Sequence, residues 1–442
     1  MSTAGSAGRL GLWSATALVI GHTIGVGIFL TPAELIGALR APGVTIALWT
    51  ICGAIVLAGA LTFGELAARC PESGGLYVYL REAWGPRVAF LYGWQSLLIM
   101  DPGVTAALAA GAAQYVVAIW PGAAGSERVV GVAFLWTIAG LNMAGLRIGA
   151  RTFGALTAIK LAALAAIVII ALTVHDGSWA HFAADPASRA GAPPLGAALA
   201  IGLVGVFFSF GGFWETSRIA GEVRDPQRTL PRALVLGVLS VTLIYVMTTA
   251  AFIVLVAPAE ATSAAAFARR AGETMLGAAG PGVLAMIVLV SVVASAMAMI
   301  MLAPRLYEAM SVDGLFPAWL ASRSPRTGAP VRSTMWLASL ATAFVLLGTF
   351  DQIVAVFVCT TLVFVALAAG AVFRLRRARG PAPFLTPGYP VTPALFIGLL
   401  LVIVAMIAIN RPWQAATGLA AVLIGVPVAR RLTATVAFEG SR

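Results

Sequence analysis

The 442-residue chain contains one lysine, three cysteines, three histidines and 17 acidic residues. Each shortage excludes something. Charged side chains amount to 10%, where a soluble globular chain carries about 25%, so there is too little charge to coat a soluble domain. Cys52 and Cys359 fall in apolar runs and Cys70 at a loop edge; all three read as small buried hydrophobes. The histidines have no paired spacing, so no metal site is expected, and nothing in the chain asks for another cofactor. No phosphate-binding loop or nucleotide motif is present, which excludes a pump driven by ATP. No convergent Ser/His/Asp set or metal set supports an enzyme.

What is present is hydrophobic sequence. Apolar residues make up 60% of the chain and the mean hydropathy is +0.96. Runs near 20 residues recur from end to end, as bilayer-spanning helices require. We place twelve spans at 12–39, 43–68, 86–119, 129–146, 152–174, 195–220, 231–256, 281–312, 332–349, 351–373, 391–409 and 412–430. The first holds Gly25, Gly27 and Pro32 and lacks a small-residue cleavage site, so it reads as a retained span and not a signal peptide. With the N-terminus inside, 21 of the 27 arginines fall on the cytoplasmic side and six outside. That asymmetry follows the positive-inside rule and puts both termini in the cytoplasm of a multi-pass plasma (inner) membrane protein. The basic pI of about 10.5 is therefore a topology signal. Nucleic acid is not an expected partner; the lipid bilayer is. No outer loop carries a cysteine, so no disulfide-linked heavy subunit is expected.

Two spans are interrupted by glycine in the same way. The first, ALVIGHTIGVGIFLTPAELIGAL, has Gly25 and Gly27 near its middle. The sixth, ALAIGLVGVFFSFGGFWETSRIAGE, has Gly211 and Gly212 there. One such pair alone is equally well explained by close helix packing. Two pairs five spans apart favour broken helices in two inverted repeats. The expected fold is an all-α membrane protein with twelve transmembrane helices in one domain, 1–442. Residues 12–174 form the first five-helix repeat, 195–373 the second, and 391–430 two additional helices. Where a helix unwinds, backbone groups lose their internal partners, which a bilayer tolerates only around a cavity or ligand. The outer half-helix, starting near Val26 to Ile28, offers N–H groups to an anion. The inner half near Thr23 and Ile24, and the second break from Phe208 through Ser209 and Phe210 to Gly211 and Gly212, offer carbonyls to a cation. A ligand bearing both a carboxylate and an ammonium, an α-amino acid, matches that pattern.

Four stretches then carry a resemblance over nearly the whole chain: IGVGIFLTP at 24–32, FGELAARCPESGGLYVYLREAWGP at 63–86, FFSFGGFWETSRIAGEVRDPQRTLPRA at 207–233 and PRLYEAMSVDGLFPAWLASRSPRTGAPV at 304–331. In this order and on these loops they resemble the amino acid–polyamine–organocation superfamily, and within it bacterial permeases of the L-type amino acid transporter group. The resemblance implies that the amides of Val26 and Gly27 bind the substrate carboxylate. The carbonyls of Thr23, Phe208 and Gly211 take the ammonium, and Phe208 is the aromatic lid. Many relatives have Ser where this chain has Val26 and Trp where it has Phe213, so the substrate is open where the backbone chemistry is not.

The single lysine, Lys160, lies eight residues into the fifth span, within reach of the interface if it snorkels. Arginine does that job everywhere else in the chain, so a compact or titratable ammonium is the favoured reading. The resemblance implies that this ammonium stands where sodium-coupled relatives hold an ion, with Ser295 or Ser291 of the eighth span as its hydroxyl partner. Whether Lys160 is a fixed charge or a proton carrier stays open. Asp101 in LLIMDPGV is either a polar contact beside a proline kink or a gate, pocket wall or proton site. Glu65 and Glu222 are expected to pair with loop arginines, and Glu215 with Arg218 at i+3. His22 either titrates or makes a simple hydrogen bond. The function expected is sodium-independent transport of small or medium neutral L-amino acids by alternating access, as exchanger or proton-coupled carrier. A polyamine or organic-cation carrier is the alternative; a channel or receptor lacks a polar pore lining or a signalling domain.

Overall fold

The computed structural model describes residues 10–25, 27–144, 146–173, 177–183, 194–261, 264–348 and 350–439. Among them helix dominates, and the one β-bridge joins Leu10 to Val223. The helices are α1 (Leu12–Thr23), α2 (Gly27–Leu39), α3 (Pro42–Arg69), α4 (Leu76–Trp84), α5 (Pro86–Gln95), α6 (Asp101–Ile119), α7 (Glu127–Met143), α8 (Leu146–Thr173) and α9 (Leu195–Phe210). Beyond these lie α10 (Pro226–Leu255), α11 (Ala264–Leu276), α12 (Gly280–Val312), α13 (Val331–Leu347), α14 (Phe350–Arg379), α15 (Val391–Asn410) and α16 (Pro412–Glu439).

Each of the twelve sequence spans coincides with a helix or a helix pair. Among the described residues, nine helices are long and apolar enough to cross a membrane, or ten if the bent pair α1–α2 is one span. Of the remaining two, α7 and α13 with 17 residues each, α13 is a shorter apolar helix. The structure adds what the apolar pattern left out. Helix α11 precedes the eighth span where only a loop was read, and its Arg270 pairs with Glu260 at 3.1 Å.

Packing is organised around the two interrupted spans. Helix α10 lies along α3 and α1, and α12 along α6 and α8. Trp49 of α3 sits against Phe210 of α9 and Tyr245 of α10, ring centres 5.8 and 5.0 Å apart, with all three side chains buried. Such aromatic clusters add roughly 0.5–1.5 kcal/mol per pair beyond area burial and brace the sixth span just before its break. Between α5 and α6 the backbone widens into one π-turn, Ser96–Met100. Pro102 supplies no N–H for a regular helical bond, and the wide turn is a usual answer. It delivers Asp101 to the start of α6.

The Arg-rich side is tied by ion pairs. Glu65 receives Arg69 at 2.7 Å and Arg376 at 2.6 Å, plus the amide of Thr386 at 2.7 Å. Glu222 meets Arg305 at 3.4 Å. Both glutamates thus pair with loop-side arginines, as expected from the sequence. Asp313, after α12, accepts from Arg81 and from the Tyr77 hydroxyl of α4, each at 2.5 Å. Burial first, and that carboxylate second, push the Tyr77 hydroxyl well above the usual phenol range.

Candidate substrate site

The first break is a cation cradle. Helix α1 stops at Thr23, Ile24 is extended (φ −73°, ψ 93°), and α2 restarts at Gly27 with the axis bent by 48°. Val26 lies outside the described residues. Ending α1 here leaves its last carbonyls without amide partners, and Lys160 of α8 supplies them. Its Nζ donates to Gly21 O at 2.9 Å, to Ile24 O, and to Ser295 Oγ of α12 at 3.4 Å. Lys160 is 1% exposed, so it does not snorkel; it folds inward and uses its three N–H donors on three acceptors, two at the end of α1 and one on α12. Ser295 also faces Ile24 O at 3.1 Å, while Ser291 reaches only Gly25 O, at 3.5 Å. Of the two serines open from the sequence, Ser295 is the one at the ammonium.

The second break follows α9. The Gly211 amide bonds back to Phe208 O at 3.0 Å, and Gly212 takes φ +95°, a conformation suited to glycine. The chain then runs as a 3-10 helix, Phe213–Glu222, with Ile219 out of helical geometry. The sequence reading offered the carbonyls of Thr23, Phe208 and Gly211 as acceptors for an ammonium. One already has a protein donor and another shares one. Phe208 O takes the Gly211 amide, and Thr23 O lies 3.1 Å from the Tyr245 hydroxyl, which is 2.7 Å from Ser209 O. Tyr245 therefore stitches the two breaks together. The sequence reading passed over it because a tyrosine in an apolar run reads as packing; its buried hydroxyl, which must find a partner in a bilayer, was the available signal.

Between the breaks lies a cavity of about 100 Å³. Thr23, Gly25, Gly27, Phe208, Ser209, Gly211, Gly212 and Ser295 line it, together with His22 and Glu215. Ile24 and Phe210 do not line it: Ile24 contributes its carbonyl to Lys160, and Phe210 packs behind. The far wall is mainly apolar, with Met100, Val104, Leu108, Met299, Phe357 and Val358 beside Thr361. Phe208 faces Phe357 across 6.3 Å, where a ring is able to cover the cavity. A Cβ built on Gly27 would come within 2.5 Å of Ser209 Oγ and 2.9 Å of Ser209 Cα, so only glycine lets the two broken spans approach this closely.

Asp101 stands behind the wall, not in it. It is fully buried and holds Arg218 through two contacts, 3.2 and 3.3 Å, and accepts from Tyr307 at 2.8 Å. The same Arg218 reaches Tyr92 at 3.3 Å and pairs with Glu215. The i+3 pair is as read from sequence; its third member, 117 residues upstream, was not legible there. The cysteines are buried and free. Among the described residues no group of His, Cys, Asp or Glu is arranged to hold a metal.

Comparison with known proteins agrees with this architecture. The profile of the amino acid permease family matches residues 10–428. The serine/threonine exchanger SteT of Bacillus subtilis is 26% identical over 425 residues, 95% of each chain. The b(0,+)-type amino acid transporter 1 of Oryctolagus cuniculus is 28% identical over 376 residues, 84% of this chain and 76% of that protein. The human large neutral amino acids transporter small subunit 2 is 27% identical over 437 residues, 95% of this chain and 79% of that protein. These proteins are transporters and not enzymes. The chain, with its many apolar helices and two glycine breaks, belongs to the amino acid permease family of the amino acid–polyamine–organocation superfamily.

Proposed function

We propose that the chain is a sodium-independent exchanger of neutral L-amino acids working by alternating access, with the cavity between the two breaks as its substrate site. The observation that carries this is Lys160: its ammonium occupies carbonyls at the first break and meets Ser295, the kind of oxygen cage a small cation would use. A fixed protein cation there removes the need for an ion from solution. The substrate carboxylate meets the amides of Val26 and Gly27 at the start of the outer half-helix. The ammonium meets the carbonyl edge around Phe208 and Gly211, where Phe208 O keeps a second lone pair. Phe208 closes over the ligand. The apolar far wall suits an uncharged side chain of small or medium size. Exchange is carried over from the serine/threonine exchanger, whose alignment spans 95% of both chains.

In this reading, twelve spans form one domain of two inverted repeats, 12–174 and 195–373, plus the pair at 391–430. It sits in the plasma (inner) membrane with both termini cytoplasmic and no disulfide-linked heavy subunit. One observation favours the organic-cation alternative: Glu215 lines the cavity. That side chain, however, is already engaged by Arg218. The test is uptake of a radiolabelled panel into proteoliposomes preloaded with unlabelled amino acid. Trans-stimulated uptake of L-alanine, L-serine or L-leucine is the expected result. Preference for L-arginine or a polyamine would replace this reading with the alternative.

A further inference from the structure

Arg218 is one cation set between two buried carboxylates. Asp101, Glu215 and Arg218 are 0%, 1% and 1% exposed. Their surroundings are unequal. Asp101 receives the guanidinium on both oxygens and the Tyr307 hydroxyl besides. Glu215 meets only the single Nε edge of the guanidinium and the neighbouring Trp214, and it faces the cavity. With both carboxylates ionised, the group would carry one uncompensated negative charge inside the protein, which costs several kcal/mol.

Among the described residues, no second arginine or lysine pairs with either carboxylate. Helix α1 presents His22 from the cavity wall. The third span presents Asp101 and Tyr92, α12 presents Tyr307, and α4 presents Tyr79 beside Ser217. Lys160 of α8 has its donors engaged at the first break and Ser295. Hydrogen bonds to a carboxylate favour its charged form; Asp101 has three, two of them from the paired edge of the guanidinium, and Glu215 has the Nε edge and Trp214 alone. The missing positive charge therefore belongs at Glu215, on the cavity side.

We infer that Glu215 binds a proton, and that this proton is what lets the cavity accept a neutral side chain. The inference rests on the reading of this cavity as the substrate site. A proton from water joins a Glu215 carboxylate oxygen and makes the neutral acid; Asp101 stays ionised against Arg218, and the buried charges balance. Loss of that proton turns a carboxylate toward the ligand, and a neutral amino acid covers the charge without compensating it. Binding of neutral substrate is then linked to protonation, and its apparent affinity falls roughly tenfold per pH unit above the point where Glu215 gives up its proton.

Two measurements test this. Infrared spectroscopy of the purified protein at neutral pH, without substrate, reads the C=O stretch that only a protonated carboxyl shows. The band is expected in wild type and absent in Glu215→Gln. It is also expected to vanish in Asp101→Asn, where Arg218 is left to Glu215 alone and ionises it. No band in wild type, or a band that survives Glu215→Gln, overturns the proton site. Equilibrium binding of L-serine and L-leucine across a pH series is the second measurement: wild type weakens as pH rises, and Glu215→Gln flattens the profile. A pH profile shared by both proteins overturns the link to the substrate. If neither amino acid binds at any pH, the substrate reading fails while the infrared band still decides the proton.

Discussion

The Tyr245 hydroxyl lies 2.7 Å from the carbonyl of Ser209 and so couples α10 to the end of α9. The same oxygen is 3.1 Å from Thr23 O at the other break. A single O–H has one proton, so it serves one carbonyl at a time. Tyr245→Phe keeps the ring against Trp49 and Phe210 and removes only this proton. A net loss of about 0.5–1.5 kcal/mol is expected, seen as a roughly two- to tenfold weaker substrate affinity with little change in thermal stability. Unchanged affinity would confine Tyr245 to packing.

Gly27 and Gly212 are sites where a side chain cannot be added without moving backbone. Gly27→Val places atoms against Ser209, and Gly212 has φ +95° with His22 only 2.9 Å from a built Cβ. Gly27→Val is expected to abolish binding in a scintillation proximity assay while the protein still elutes as a single species in detergent. Normal affinity would move the substrate site away from the break.

Much of this was legible in advance, for identifiable reasons. Glycine marks a broken helix in any context, so the two breaks stood out in the sequence. Lys160 stood out because arginine carries every other formal cation. The chain's apolar runs locate its helices. What was not legible depends on tertiary partners. Nothing local to Phe213–Glu222 announces a 3-10 helix, and its residues read equally well as a continued α-helix. The partners of Arg218 come from the third and sixth apolar runs, so only the fold shows that Asp101, Tyr92 and Glu215 meet on one guanidinium while Tyr307 donates to Asp101 from a further helix. The donors that reach the carbonyls of Thr23 and Phe208 are Tyr245 and the turn at Gly211, neither of which a motif encodes.

Removing Arg218 leaves the Asp101 carboxylate and the Glu215 side chain without their cation in the protein interior. Arg218→Ala is expected to lower stability by about 3–5 kcal/mol, measured as a large drop in melting temperature in detergent. Arg218→Lys is expected to rescue it only in part, because an ammonium cannot reproduce the two-pronged contact with Asp101. Equal stability of Arg218→Ala and wild type would show that the triad does not hold the sixth span to the third.

Phe208 is expected to act on closure more than on equilibrium binding. Phe208→Ala should slow exchange by a larger factor than it weakens affinity, since a lid contributes to the conformational step. Parallel measurement of substrate binding and initial exchange rate separates the two. Equal loss in both would make Phe208 an ordinary wall residue.

The central claim is that Lys160 holds the place of a coupling ion. Lys160→Ala and Lys160→Arg are both expected to fail, since one leaves carbonyls at the first break unsatisfied, at about 1–3 kcal/mol per buried group, and the other brings a planar fork where a compact head fits. The most direct measurement is the initial rate of amino acid exchange in proteoliposomes with sodium replaced by choline on both sides. The account predicts the same rate in the two salts. A steep dependence on sodium would contradict it.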